Sequence, residues 1–215
     1  MSFIRRYWKR ALLTLAALVI TALAYIYWPI TPNLSALKNA GDAYHARILR
    51  DTWGVPHIFG HTDADAAYGL AYAHAEDDFL TIQQTLVAAR GKLATVYGAD
   101  AAPNDYMVQL LRIWDVVDEK YDSLAPETRA VMEAYAAGLN VYAAFHPQEA
   151  FPGLFPVSGQ DVVAGSVHKS PLFFGLEKTL GELFADTRQN TVSLKPTATA
   201  APPLNSNTFA VSPGA

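Results

Sequence analysis

"ARILRDTWGVPHIFGHTDADAAYGLAYAHAEDDFLTIQQTLVAARGKLATVYG", residues 46–98, carries two hydrophobic rhythms in succession. The first is strand-like: Ala46 and Ile48 alternate, imperfectly, with Arg47 and Arg50. Thr52-Trp53-Gly54 can turn, and Val55 to Gly60 resumes an extended run in which Pro56 suits an edge or a bulge, so a hairpin is expected. The second rhythm is helical. Thr62 followed three residues later by Asp65 forms a capping-box pattern, and Ala66, Leu70 and Ala73 continue at helical spacing, which predicts a helical region to about Tyr97 with Gly98 as its stop. Gly69 and Gly91 lie inside that region, and each costs about 1 kcal/mol relative to alanine unless close packing compensates. A break or a tight helix crossing is therefore expected near one of them.

Upstream, residues 29–43 read as a polar connector, because Pro29, Pro32, Asn33, Gly41 and Asp42 interrupt any period. Ahead of it, Arg5, Arg6, Lys9 and Arg10 precede an uncharged run from Ala11 to Trp28. A basic flank before an apolar segment marks export or anchoring, since the positive charge is held inside while the remainder crosses. Two versions stand: a signal cleaved near Ala22-Leu23-Ala24, or a retained anchor with Tyr25, Tyr27 and Trp28 at the interface. Eighteen residues sit near the lower limit for a span.

Downstream, a second helix is expected after Ser123, with Pro126 in its first turn, Glu127 at its positive end and His146-Pro147 as its end. A third is expected from about Gln160 to Ala185, bent at Pro171. Residues 186–205 then form a spacer of small residues and proline that cannot bury a core, and Thr208, Ala210 and Ser212 alternate with Asn207, Phe209 and Val211 as a new strand begins.

Of the 215 residues, 51% are apolar, enough for a sizeable core, and cysteine is absent, which rules out disulfides, thiolate nucleophiles and Cys-ligated zinc. Beyond the basic flank, 12 Lys and Arg face 20 Asp and Glu; such an acidic body repels phosphate backbones, so nucleic acid is not an expected partner. His57 and His61 are four apart, but on an extended strand that separates them by about 13 Å, too far for one ion. Glu76, Asp77 and Asp78 read as a solvated helix face rather than a catalytic pair. No glycine-rich phosphate loop is present.

Ser206 is the remaining candidate. A serine hydroxyl needs a base beside it. If the Asn205–Ser206 bond were cut, the freed α-amine, with an ordinary pKa of about 8, would supply that base from the same residue. Taken alone, "NSN" is a common turn, and the chain would read as a membrane-tethered helical adaptor in which "SNTF" is a loop.

The segment from Ala46 to Gly98 resembles the opening of the α chain of the penicillin acylase family, with its strand ending in Arg-Asp, its aromatic-Gly-x-Pro-His turn, its Tyr-Gly-x-x-Tyr-x-x-Ala helix and its Arg-Gly pair. "ETRAVMEAYAAGLNVY" resembles the next helix of that chain, and "SNTFAVSP" the start of the β chain. The parts occur in the family's order. The resemblance implies an α+β N-terminal-nucleophile hydrolase, an αββα sandwich when complete, of which these residues are mostly helical with one hairpin. It implies residues 44–185 as the α-chain region, removal of a spacer within Phe184 to Asn205, and Ser206 as nucleophile at the start of a β chain. The expected reaction is hydrolysis of an N-acylated small molecule, an acyl-homoserine lactone or β-lactam, in the periplasm or outside the cell. The family's oxyanion donors have no counterpart within these residues, so this stretch alone is expected to be inactive. Phe173 and Phe174 become candidates for touching the acyl group, beside the alternative of core packing. Some members bind calcium through a glutamate of this region, where Glu177 and Glu182 stand; no metal or other cofactor is assigned.

Overall fold

The computed structural model describes residues 12–21, 23 and 33–176. Backbone contacts divide the chain into two units, Met1–Phe174 and Gly175–Ala215. Residues 12–21 are helical, and no helix among the described residues is long and apolar enough to cross a membrane. The expected spacer, the Asn205–Ser206 junction and the strand after it lie outside the described residues.

The hairpin forms as expected, β1 (Ala46–Arg50) pairing antiparallel with β2 (Pro56–Gly60) so that Ile48 faces Ile58. Asp51 shapes the turn by accepting from the amides of Trp53 and Val55 at 2.8 and 3.0 Å, and Gly54 takes the left-handed φ of 82°. The connector reading of residues 29–43 is corrected, because Leu34–Ala40 is a helix, α1, followed by a 3-10 turn at Gly41–Ala43. Asn33, read from sequence as a breaker, is its cap: the side chain accepts from the Ala36 amide at 3.1 Å.

The long helix α2 spans Asp63–Ala89, with both halves of the Thr62–Asp65 capping box present. It ends at Arg90 rather than near Tyr97, because Gly91 turns the chain with φ of 63° against Val108. A short helix α3 (Ala94–Tyr97) follows and stops at Gly98. An unexpected kink falls at Asp78 (φ −154°, ψ 60°), where its carboxylate accepts from the Thr81 amide and starts the second half of the helix. The acidic trio is thus exposed but not merely solvated. Arg50 lies 2.9 Å from both Glu76 and Asp77 and also donates to the Ala73 carbonyl, so a cation caps the negative end of the first half.

Residues 99–123, for which the sequence pattern carried no expectation, add α4 (Ala102–Leu110) and α5 (Ile113–Lys120), joined at Arg112 with φ of 52°. Helix α6 runs Pro126–Phe145 and ends at His146, as expected. Helix α7 covers Gly159–Phe173 with Pro171 inside; the expected continuation over residues 177–185 lies outside the described residues.

The core sits where α2 crosses α6. Ala71, Ala75 and Leu139 are buried there, and Phe79 packs on Tyr142 and Phe155 with ring centroids 4.9 and 5.5 Å apart. The backbones approach because Gly138 lacks a Cβ, which would meet the Tyr68 carbonyl oxygen at 2.5 Å and the Ala71 Cβ at 2.8 Å. Gly69 serves the other side of α2, where the hairpin's Ala46 and Ile58 would touch an added Cβ at 2.9 and 2.8 Å. The sequence asked for a break or a close contact at Gly69 or Gly91; the structure has a contact at the first and a break at the second.

These approaches have a measurable signature. Gly138→Ala should destabilise by about 1–3 kcal/mol through overpacking. Gly165→Ala, where the nearest atom outside the helix lies 3.8 Å away, should instead stabilise by about 0.5–1 kcal/mol. Denaturant midpoints of the two variants should move in opposite directions.

Candidate functional site

Three buried or half-buried polar side chains fix the segment that leads into α7. Gln83, 1% exposed, donates to the Glu149 carbonyl at 3.1 Å and accepts from the Phe151 amide at 2.6 Å. Asn140 makes the equivalent pair with the carbonyl and amide of Val157, both at 2.8 Å. Each amide side chain imitates a backbone partner, so an irregular loop is held without a strand beside it.

Arg90 completes the hold. Its guanidinium meets the Asp161 carboxylate in bidentate fashion, Nε to Oδ1 at 2.6 Å and Nη2 to Oδ2 at 3.0 Å, while Nη1 donates to the Leu154 carbonyl at 2.8 Å. The Asp161 side chain is only 5% exposed, so the pair works in a poorly solvated place where planar geometry counts. Asp161 also accepts from the amide and hydroxyl of Ser158, and Ser158 Oγ accepts from the Asp161 amide at 3.4 Å. The start of α7 is therefore capped and pinned to the end of α2 by the same carboxylate. Glu133 on α6 adds a second tie, accepting from the Tyr121 hydroxyl at 2.5 Å and the Gly159 amide at 3.3 Å. Burial, then the bond to Glu133, pushes the Tyr121 phenol upward and keeps it a donor.

With α7 so placed, a cleft of about 280 Å³ opens between it, α2 and α6. Ile82, Leu86 and Leu139 form part of its lining, together with Thr85, Ser166 and Lys169. His74 Nδ1 lies 2.7 Å from the Tyr135 hydroxyl at this cleft, and burial raises the Tyr135 phenol. The α7 wall follows Val162, Ser166 and Lys169, and the same helical stripe reaches Phe173 one turn later. Phe173 and Phe174 are 61% and 82% exposed, with their rings edge to face at 5.5 Å. Among the described residues neither ring is packed into the core of this unit.

The other candidates named from the sequence fall as follows, each by its own contacts. His57 Nε2 lies 3.3 Å from Asp51, on the hairpin, and the described residues hold no group of three or more His, Cys, Asp or Glu arranged for a metal. Asn205, Ser206, Glu177 and Glu182 lie outside the described residues. Gln83, Asn140 and the Arg90–Asp161 pair were not singled out from the sequence. Only the Arg90-Gly91 pair, within the motif quoted above, pointed toward them.

Asp161→Asn should cost about 3–5 kcal/mol, because it leaves the Arg90 charge unmatched in a confined place. Replacing both partners by apolar residues, Arg90→Met with Asp161→Leu, should recover part of that loss in the same denaturation measurement. A second expectation concerns pH. Burial, then Lys169, lowers the His168 imidazole below the ordinary value of about 6.5, and its Nε2 lies 2.9 Å from Asn104 Oδ1. Because the folded protein prefers the neutral ring, this contribution is full above the ordinary value and is lost as pH falls through the folded one. The drop in stability between about pH 7 and 5 should be smaller in His168→Gln than in the parent, by unfolding at each pH.

Residues 45–215 match the family described as penicillin amidase. The penicillin acylase 2 proenzyme of Pseudomonas sp. strain SE83 is 33% identical over 115 residues, which are 54% of this chain and 15% of that protein. The acyl-homoserine lactone acylase QuiP of Pseudomonas fluorescens is 32% identical over 114 residues, 53% of this chain and 14% of the relative. The chain thus matches about a seventh of the length of these relatives. A solved structure of thermostable penicillin G acylase from Alcaligenes faecalis aligns with a TM-score of 0.56 at 21% identity, covering 79% of this chain and 98% of that one. The fold is shared with that structure, and the match over residues 45–215 establishes that this chain belongs to the penicillin amidase family.

Proposed function

We propose that this chain is the amino-terminal part of a self-cleaving amide hydrolase whose nucleophile is Ser206. The observation that carries the reading is the family match running from residue 45 through the spacer and across Asn205-Ser206-Asn207. In the first step the Ser206 Oγ attacks the Asn205 carbonyl carbon, its proton leaves to a nearby base, and the peptide C–N bond breaks as the acyl group moves to oxygen. Water then opens the ester. The products are an Asn205 carboxylate and a free Ser206 α-amine. In the mature enzyme that amine takes the hydroxyl proton, directly or through a water, as Oγ attacks the substrate amide. The amine half of the substrate leaves, an acyl ester remains on Ser206, and water releases the acid.

Support for processing comes from lengths. A relative named as a proenzyme is matched over 15% of its sequence, whereas one chain of the penicillin G acylase structure is matched over 98%. That is the pattern of a long precursor divided into a short and a long chain. The substrate is an N-acylated small molecule, an acyl-homoserine lactone or a β-lactam, and Phe173 and Phe174 contact its acyl part: two exposed aromatic rings at the end of a firmly held helix offer apolar area to bury. A periplasmic or extracellular enzyme, with its amino-terminal segment cleaved or kept as an anchor, is part of this proposal, and the basic flank before an apolar run is what supports it.

Mass spectrometry of the mature full-length protein should find a chain that begins at Ser206. Ser206→Ala should leave the precursor uncut and lower amide hydrolysis by at least about 10⁴-fold. A wild-type protein that is fully active with the Asn205–Ser206 bond intact would overturn the reading.

A further inference from the structure

Helix α2 meets α6 closely at Gly138 and the hairpin closely at Gly69, but α7 stands off from it. A Cβ added at Gly165 would find only the Thr85 Cγ2 within 4 Å, at 3.8 Å. Asp161 is held at Arg90 and Gly165 faces Thr85, so α7 runs antiparallel to α2, and each turn along one steps a turn back along the other. One turn further, Lys169 reaches the level of Thr81, and both line the cleft of about 280 Å³ that the separation leaves. The Arg90–Asp161 pair closes one end of this slot, and Lys169 stands toward the other.

The slot has an apolar floor, because Ile82, Leu86 and Leu139 are each at most 7% exposed yet border it. Its lining carries two formal charges, and only one is available. Asp161 is committed, its oxygens accepting from Arg90 and from Ser158. Lys169 is exposed and has no carboxylate partner among the described residues. The hydroxyls of Thr81 and Ser166 stand in the same lining and can donate beside the ammonium.

We propose that this cleft binds an unbranched aliphatic carboxylate, its head at Lys169 and its chain lying over Ile82, Leu86 and Leu139 toward the Arg90–Asp161 pair. An apolar slot with one unmatched ammonium selects an amphiphile of the opposite sign. The volume lies just under the range that takes drug-sized ligands, which suits a chain of about six carbons. A single ammonium matches a monoanion; a phosphate would find no guanidinium fork, since Arg90 already holds Asp161 on that edge. Neither Phe173 nor Phe174 lines the cleft, and the inference does not rest on the chemistry of Ser206.

The test titrates the full-length gene product with butanoate, hexanoate and hexan-1-amine by calorimetry. Affinity should rise about fourfold for each methylene added between butanoate and hexanoate, and the amine should not bind. Lys169→Gln should weaken hexanoate about three- to fivefold, as the loss of one exposed charge partner predicts, and Lys169→Arg should restore it. A hexanoate analogue with a diazirine near its far end should, on irradiation, label peptides holding Ile82, Leu86 or Leu139. Equal affinity of the parent and Lys169→Gln, binding of the amine as tight as that of the acid, or labelling confined to other peptides would overturn the proposal. A protein with its Asn205–Ser206 bond intact that still takes label here would sink the proposed function and leave the cleft standing. A cut, active protein that takes no label here would do the reverse.

Discussion

The close approach of α2 and α6 is the constraint on which the rest of this unit depends. Two helix backbones come together where Gly138 faces Tyr68 and Ala71, and that distance is available only because small residues line both partners. Larger side chains stand around the crossing rather than in it. Phe79, Tyr142 and Phe155 close one end as a set of edge-to-face and stacked rings. The hairpin takes the opposite side of α2 through the same device, its inner face lying on Gly69. A single helix can therefore carry a strand pair and a second helix at once, because each neighbour meets a position without a side chain.

Polar side chains do a different task from this apolar framework. Gln83 and Asn140 satisfy the amides and carbonyls of a loop with no strand to pair with, and Arg90 gathers the end of α2, the Leu154 carbonyl and the first turn of α7 onto one guanidinium. Burial raises the stake in each bond, since an unpaired group in these positions would have lost water without replacement. The outcome is a helix, α7, whose start is fixed in three directions while its far end leaves Phe173 and Phe174 exposed among the described residues. A rigid origin with an exposed aromatic tip suits an element that positions part of a site for another segment to complete.

Division of labour of this kind is what the proposed mechanism calls for. If Ser206 carries both the hydroxyl and the amine, as proposed, the helices need contribute nothing to the reacting pair beyond placement. What the helices can add is shape: a cleft edged by His74 and Tyr135, with Val162, Ser166 and Lys169 of α7 along one wall.

The hairpin, the Thr62 cap, the extent of α6 and the family motifs were legible in the sequence, because each depends on neighbours within a few residues: alternation, a capping side chain, a proline at a first turn. The family resemblance was equally local, carried by short motifs in a fixed order. Other features were not legible. Asn33 reads as a breaker in the sequence, yet its side chain caps α1, and α1 lies against α6, far along the chain, with Leu37 half-buried. The kink at Asp78 follows from a local cap, but its carboxylate neighbours are held by Arg50 from the hairpin. The partners of Gln83, Asn140 and Arg90 lie 17 to 71 positions along the chain. Sequence alone determined which segments could be helix or strand and which family they came from, since those preferences are written in short-range sterics and periodicity. Tertiary structure decided where helices stop, which glycines are contacts and which are turns, and which charges are paired, since each depends on what another part of the chain brings within a few ångströms.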